Sequence, residues 1–240
     1  MFDQSWKGYW HGHKPMGDSY TKARKVVRPT GTIMRGKFPS RKNGRMMEFE
    51  GLLERDAMFL FETSSKIVRY REQPIKIHYP DGNRLRRYTP DFELLLVTGE
   101  TILIEIKHHT HLQNEALLHK LNCIYQYFWG LQQPFHVLTD LIIRQQPRLA
   151  NLNQICAELP RIWPSAASLS SQIYQYQDLF PTRYEEAKRI LDGNQLSLSS
   201  LIVSGLATLD VNQPIEACTP IHLIQEDMHE SLWISKEHGF

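Results

Sequence analysis

The chain has 240 residues, 28 Lys or Arg against 26 Asp or Glu, and a net charge of +2, a total that alone predicts little. Its three cysteines, Cys123, Cys156 and Cys218, stand far apart, which excludes a disulfide framework and fits reduced thiols. No stretch reaches the length of a membrane span and the N-terminus lacks the apolar core of a signal peptide, so a cytoplasmic protein near the nucleoid, with no membrane partner, is expected.

Charge distribution says more than the total. Residues 1–45 hold eleven Lys or Arg against Asp3 and Asp18, about +9, so the remainder carries about −7. The arm also contains Trp6, Tyr9, Trp10 and Tyr20. Such a segment buries little apolar surface and is expected to be extended until it binds something. Phosphate is the natural partner, with aromatics available to stack, so Lys22, Arg24, Lys25, Arg28, Arg35, Lys37, Arg41 and Lys42 are candidate DNA contacts. Docking on an acidic protein is the alternative for this arm.

Residues 46–145 read as one folded unit. Leu53, Ala57, Leu60 and Phe61 recur at helical spacing, and Glu54 sits beside that stripe. Ile75, Ile77 and Tyr79 alternate with Lys76 and His78, which predicts a half-buried strand. Arg84, Arg86 and Arg87 form a second basic cluster, placed to hold a DNA backbone. Next, Phe92–Val97 and Ile102–Ile106 flank Thr98-Gly99-Glu100 as a β-hairpin. Leu117, Leu118, Leu121, Ile124, Tyr125 and Phe128 predict another helix, and Phe135–Thr139 a last strand.

The hairpin carries the chemistry. Pairing across its turn brings Asp91 near Glu105 and Lys107, while Ile104 and Ile106 face the core. Two adjacent carboxylates repel and resist desolvation unless a positive charge lies between them. A hard divalent cation such as Mg²⁺, with Mn²⁺ a possible substitute, resolves that conflict, and Lys107 is placed to orient a water or steady phosphate charge. A plain salt bridge on a solvated sheet face uses the same residues. His108, His109 and His111 have poor spacing for zinc and are expected to face solvent or phosphate.

Residues 146–160 read as a linker helix, centred on Asn151–Leu159 and interrupted by Pro160 and Pro164. Residues 161–240 turn acidic, with five basic and ten acidic side chains. Thr182 reads as a helix cap and Asp192-Gly193 as that helix's end. A second helix over Leu196–Val203 and strands at Leu206–Asp210 and Pro220–Ile224 predict a small winged-helix-like domain. Its acidity points to protein docking in place of phosphate gripping.

The order Glu, then PD, then ExK, in an αβββαβ series, resembles the restriction-endonuclease-like (PD-(D/E)xK) superfamily: an α/β core with a central mixed sheet flanked by helices. Within it, Leu53-Glu54-Arg55-Asp56, Arg71-Glu72-Gln73-Pro74, Tyr88-Thr89-Pro90-Asp91-Phe92, Ile104-Glu105-Ile106-Lys107 and Val137-Leu138-Thr139 resemble the TnsA family, endonuclease subunits of heteromeric transposases. The resemblance covers roughly residues 45–145. It implies a catalytic set of Glu54, Asp91, Glu105 and Lys107, with Mg²⁺ held by Glu54, Asp91, Glu105 and the Ile106 carbonyl. Some family members carry Gln where this chain has Glu105, and a carboxylate binds metal more strongly than an amide. The implied activity is cleavage near the 5′ ends of transposon DNA, beside a transposase that cuts and joins the 3′ ends and a regulatory ATPase. An autonomous restriction or repair nuclease and an inactive DNA-binding subunit are the alternatives. The presence of all four charged residues disfavours the last.

Overall fold

A computed structural model describes residues 34–160, 164, 166–224 and 234. The chain opens with a hairpin of β1 (Gly36–Ser40) and β2 (Arg45–Phe49), followed by α1 (Leu52–Thr63) and β3 (Ile67–Glu72). A second hairpin, β4 (Ile77–Asp81) and β5 (Arg84–Tyr88), precedes β6 (Phe92–Leu96) and β7 (Thr101–Lys107). A 3-10 turn, His109–Gln113, leads into α2 (Glu115–Gly130), then β8 (Phe135–Thr139), α3 (Asp140–Ile143) and α4 (Arg148–Ala157).

The central sheet has the order β3-β6-β7-β8. The first three strands are antiparallel, and β8 returns through α2 to lie parallel to β7. Gly99, at φ 84°, makes the β6–β7 turn in the left-handed region that favours glycine. Alternation assigns the faces. Ile102, Ile104 and Ile106 pack with Phe92 and Leu94 against the α1 side, while Leu103 faces a cluster of Tyr79, Tyr88, Leu121, Ile124, Phe128 and Phe135. Both faces are thus covered, and Glu105, one step beyond Ile104, lies on the Leu103 face and is buried.

The end of the basic arm departs from the expectation of an extended tail. Residues 36–40 are a strand, and Phe38 meets Phe59 edge-on at 5.0 Å. The buried Glu62 fixes the β1–β2 turn: its carboxylate accepts from Ser40 Oγ (2.8 Å), Tyr70 OH (2.8 Å), and the Arg41 (2.6 Å) and Lys42 (3.0 Å) amides. The Lys42 ammonium donates to the carbonyls of Phe61, Ser64 and Ile67, closing the C-terminal end of α1, where carbonyls lack helical partners.

The expected linker helix is α4, and it belongs to the core: Leu149, Leu152 and Ile155 are buried with Leu60 and Phe61 of α1. Beyond it lie α5 (Ala166–Ile173), a 3-10 segment (Tyr174–Leu179), β9 (Thr182–Arg183), α6 (Tyr184–Gly193), α7 (Leu198–Val203), β10 (Ala207–Thr208) and β11 (Pro220–Leu223). The three short strands pair in the order β10-β11-β9. The cap expected at Thr182 falls one residue later, on Arg183, because Thr182 turns its hydroxyl to Glu186 (3.1 Å). The first expected wing strand shortens to two residues.

This region shares one apolar cluster with α1 and α4. Glu158 accepts from Tyr184, Lys188 and Ser199 at 3.0, 2.7 and 3.1 Å. Asn151 donates to the Val211 and Gln213 carbonyls at 2.8 and 2.7 Å. The architecture is therefore mixed α/β, with a central mixed sheet, flanking helices and a small C-terminal α/β region. Among the described residues, no helix is long and apolar enough to cross a membrane.

Candidate active site

Three of the four predicted catalytic residues meet where β6 begins and β7 ends. Phe92 lies opposite Ile104, which brings Asp91 to the last turn of β7's ladder. Asp91 Oδ2 accepts the Ile106 amide at 2.7 Å, and its carbonyl accepts the Gln73 amide at 2.8 Å. Asp91 is therefore pinned through side chain and backbone. Glu105 is clasped from two directions, by Lys107 Nζ at 2.6 Å and by the Tyr88 hydroxyl at 2.5 Å. Lys107 Nζ also lies 3.9 Å from Asp91 Oδ2 and donates to the Ile106 carbonyl at 3.0 Å. That carbonyl consequently faces the same space as the carboxylates.

Glu54 approaches from the first turn of α1. Gly51 caps the helix at φ 147°, and Glu54 reaches back to accept the Glu50 amide at 2.7 Å, much as a capping-box glutamate does. α1 packs against β7, so the charges of Glu105 and Lys107 act on Glu54, though no hydrogen bond or ion pair joins Glu54 to either.

The site holds more negative than positive charge. Burial, then Glu105, pushes the Asp91 carboxyl well above the usual carboxylate range, with Lys107 opposing. Burial, aided by Glu50 and Glu105, lifts Glu54 to about 7. Burial alone would lower Lys107, but Glu105 and Asp91 outweigh it and hold the ammonium above its usual range. Tyr88 is pushed well above its usual range by burial and by Glu105, so its hydroxyl stays a donor. The carboxyl groups and the nearby carbonyl are oxygen donors of the type a hard divalent cation takes, but the ligand atoms of Glu54, Asp91 and Glu105 do not all lie within 4.8 Å of one another.

The predicted DNA-contacting residues fall into three groups. Lys22, Arg24, Lys25 and Arg28 lie outside the described residues. Of the arm residues described, Lys37 is exposed, Arg35 pairs with Glu50 at 3.3 Å, Arg41 donates to the Pro160 carbonyl at 3.2 Å, and Lys42 closes α1. Arg84, Arg86 and Arg87 are exposed on β5, whose last residue, Tyr88, enters the site, and Arg86 is paired with Asp81.

Two features were missed in the sequence. Tyr88, in the Tyr88-Thr89-Pro90-Asp91-Phe92 motif, gains a role only through the packing of the separate β4–β5 hairpin, which brings its hydroxyl to Glu105. His108 and His109, expected to face solvent or phosphate, both contact Asp140, at 3.1 and 2.9 Å. The parallel pairing of Lys107 with Thr139 brings them together, and the His109 amide donates to the same carboxylate at 2.6 Å. His111 remains exposed. Among the described residues, two sets of three His, Cys, Asp or Glu donors lie within 4.8 Å of one another: His108, His109 and Asp140, and Asp81, His119 and Cys123.

Residues 64–140, about a third of the chain, match the family model described as TnsA-like endonuclease N terminal. Asp91, Glu105 and Lys107 fall inside the matched stretch and Glu54 outside it. No curated protein matches the chain.

Proposed function

We propose that the chain is the Mg²⁺-dependent DNA endonuclease subunit of a transposase, cleaving near the 5′ ends of the element while a partner transposase cuts and joins the 3′ ends. The observation that carries this reading is the convergence of Asp91, Glu105 and Lys107 within the TnsA-like stretch. The reaction is hydrolysis of one phosphodiester of double-stranded DNA. Asp91, Glu105, Glu54 and the Ile106 carbonyl would hold the cation, Mg²⁺ or Mn²⁺ in its place. When bound, the cation neutralises the carboxylates and makes water a stronger nucleophile.

The chain's own residues do the rest. The Ile106 amide aims Asp91, and Tyr88 fixes one oxygen of Glu105. The Lys107 ammonium, held charged by its neighbours, donates to the attacking water and to the phosphate on which charge grows, instead of accepting a proton. Arg84 and Arg87 hold the backbone of the bound strand, with the basic arm of residues 1–45 adding affinity along the duplex.

The catalytic unit is taken as residues 46–145, with β1 and the helix of residues 146–160 packed onto it. Residues 161–240 are proposed as a winged-helix-like module for docking the transposase or a regulatory ATPase. The element order α5-β9-α6-α7-β10-β11, with β11 central, supports that topology, and the acidic balance supports docking over DNA gripping. A cytoplasmic, nucleoid-associated location follows from the substrate.

The test is strand cleavage of transposon-end DNA with Mg²⁺, for wild type and Lys107→Ala, with and without the cognate transposase. Cleavage by wild type only alongside the transposase, lost in the variant, is expected. Cleavage by wild type alone would favour an autonomous nuclease. Undiminished cleavage by Lys107→Ala would remove this site from the reaction.

A further inference from the structure

A second group of ligand-bearing side chains lies away from the carboxylates. Asp81 ends β4 at a tight turn, where Gly82 takes φ 58°. His119 and Cys123, four residues apart, share one face of α2. That helix packs on the hairpin through Leu121, Ile124 and Phe128 against Ile77, Tyr79 and Tyr88. The packing brings His119 Nε2 to 2.8 Å from Asp81 Oδ1 and 3.6 Å from Cys123 Sγ. All three donor atoms lie within 4.8 Å of one another.

We propose that Asp81, His119 and Cys123 form a zinc site that clamps the β4–β5 hairpin to α2. Tetrahedral zinc, with bonds of about 2.0–2.3 Å, separates its ligand atoms by roughly 3.3–3.6 Å. The His119–Cys123 spacing already has that value. The His119–Asp81 hydrogen bond has to open by roughly 0.6 Å to admit the ion. Arg86 holds the other side of the Asp81 carboxylate, the outer contact that commonly orients a metal-binding carboxylate.

The donor set decides the metal. Imidazole, thiolate and carboxylate together suit a borderline-soft cation, whereas the all-oxygen set at Asp91 suits a hard one. Zinc and magnesium therefore sort to different sets of side chains. Cys123 is half-buried against the helix, and three protein ligands leave a fourth position for water.

What the clamp controls rests on the proposed function. The hairpin carries Arg84 and Arg87 outward, and its last residue, Tyr88, donates to Glu105. Fixing the turn to α2 sets the angle at which the basic strand meets DNA and steadies the Tyr88 hydroxyl.

The test uses the full chain with Co²⁺ as a zinc substitute in excess Mg²⁺, read by thiolate-to-cobalt charge-transfer absorption and by displacement with Zn²⁺. The oxygen-only site contributes nothing to that band. One equivalent of Co²⁺ is expected to give the band in wild type and in Cys218→Ser. It should vanish in Cys123→Ser, and affinity should fall at least about tenfold in Asp81→Asn and His119→Gln. Zn²⁺ should slow amide exchange in β4 and β5 of wild type and leave Cys123→Ser unchanged. No band in wild type, or a band that survives in Cys123→Ser, would overturn the site. A band in Asp91→Asn that matches wild type, with cleavage lost, supports a site separate from the catalytic one. A normal band in a wild-type chain that fails to cleave DNA with its transposase supports the site and counts against the nuclease reading alone.

Discussion

Replacing Glu54 by Gln should remove a pH dependence of folding from the metal-free protein. Burial holds the Glu54 carboxyl at about 7, against an ordinary 4.5, so the folded chain binds its proton more tightly than the unfolded chain does. The stabilisation from that proton is complete below about pH 4.5 and is lost as pH rises through about 7. The gap between the two values corresponds to about 3 kcal/mol, most of which falls between about pH 5 and 8. Gln keeps an oxygen for the Glu50 amide, so the helix start is preserved while the titration is deleted. Urea unfolding with a chelator present measures the effect. From pH 5 to 8, wild type should lose about 2–3 kcal/mol more than Glu54→Gln. Asp91 shifts in the same direction and remains in both proteins, so the difference reports Glu54. Adding Mg²⁺ at pH 8 should restore stability to wild type more than to the variant. Parallel stability-versus-pH curves for the two proteins would refute the placement of Glu54 in a buried, carboxylate-crowded site.

Other expectations follow from single contacts. Asp91→Asn should lower cleavage at least about a hundredfold, yet raise the stability of the metal-free protein at pH 8, because the amide oxygen still accepts from Ile106 while the buried charge is gone; cleavage and unfolding assays on one preparation check both. Tyr88→Phe removes the donor on Glu105 Oε2, so stability should fall by about 1.5–3 kcal/mol and the single-turnover cleavage rate should drop while DNA affinity holds. Glu62→Ala strands two amides and two hydroxyls in the core and should cost about 3–5 kcal/mol by denaturant unfolding; a loss under about 1 kcal/mol would contradict its role in pinning the first hairpin. Arg84→Ala with Arg87→Ala should reduce the slope of log affinity against log salt by about 1.8, and an unchanged slope would place the DNA elsewhere.

Local pattern carried the helices and the β6–β7 hairpin because each buries a face whose period is written in consecutive residues. Leu53, Ala57, Leu60 and Phe61 need only α1's own geometry to line up, and Phe92–Leu96 and Thr101–Lys107 need only a turn between them. The first hairpin was illegible for the opposite reason. Its surroundings are rich in Lys and Arg, and what fixes it is Glu62, about twenty residues away, with Phe59 beneath Phe38. Asp140 clasping His108 and His109 likewise depends on a parallel pairing closed by α2, thirty-one residues on. The Asp91, Glu105 and Lys107 group could be read because two of its members share a strand and the third needs only one antiparallel neighbour. Tyr88 could not, since its strand belongs to a different hairpin.

The Ile106 amide bound to Asp91 makes that carboxylate part of the β-ladder as well as part of the chemistry. Glu105 and Lys107 neutralise each other, and neither side chain accepts a ladder amide, although Lys107 donates to the Ile106 carbonyl. A descendant freed from the need to cut DNA would therefore shed its acidic site in a set order. Glu105 and Lys107 would drift away together, since losing either alone strands the other's charge. Position 91 would hold out as Asp, Asn or another side chain able to accept a hydrogen bond. Among silent copies of this domain, an intact residue 91 is thus a record of folding alone.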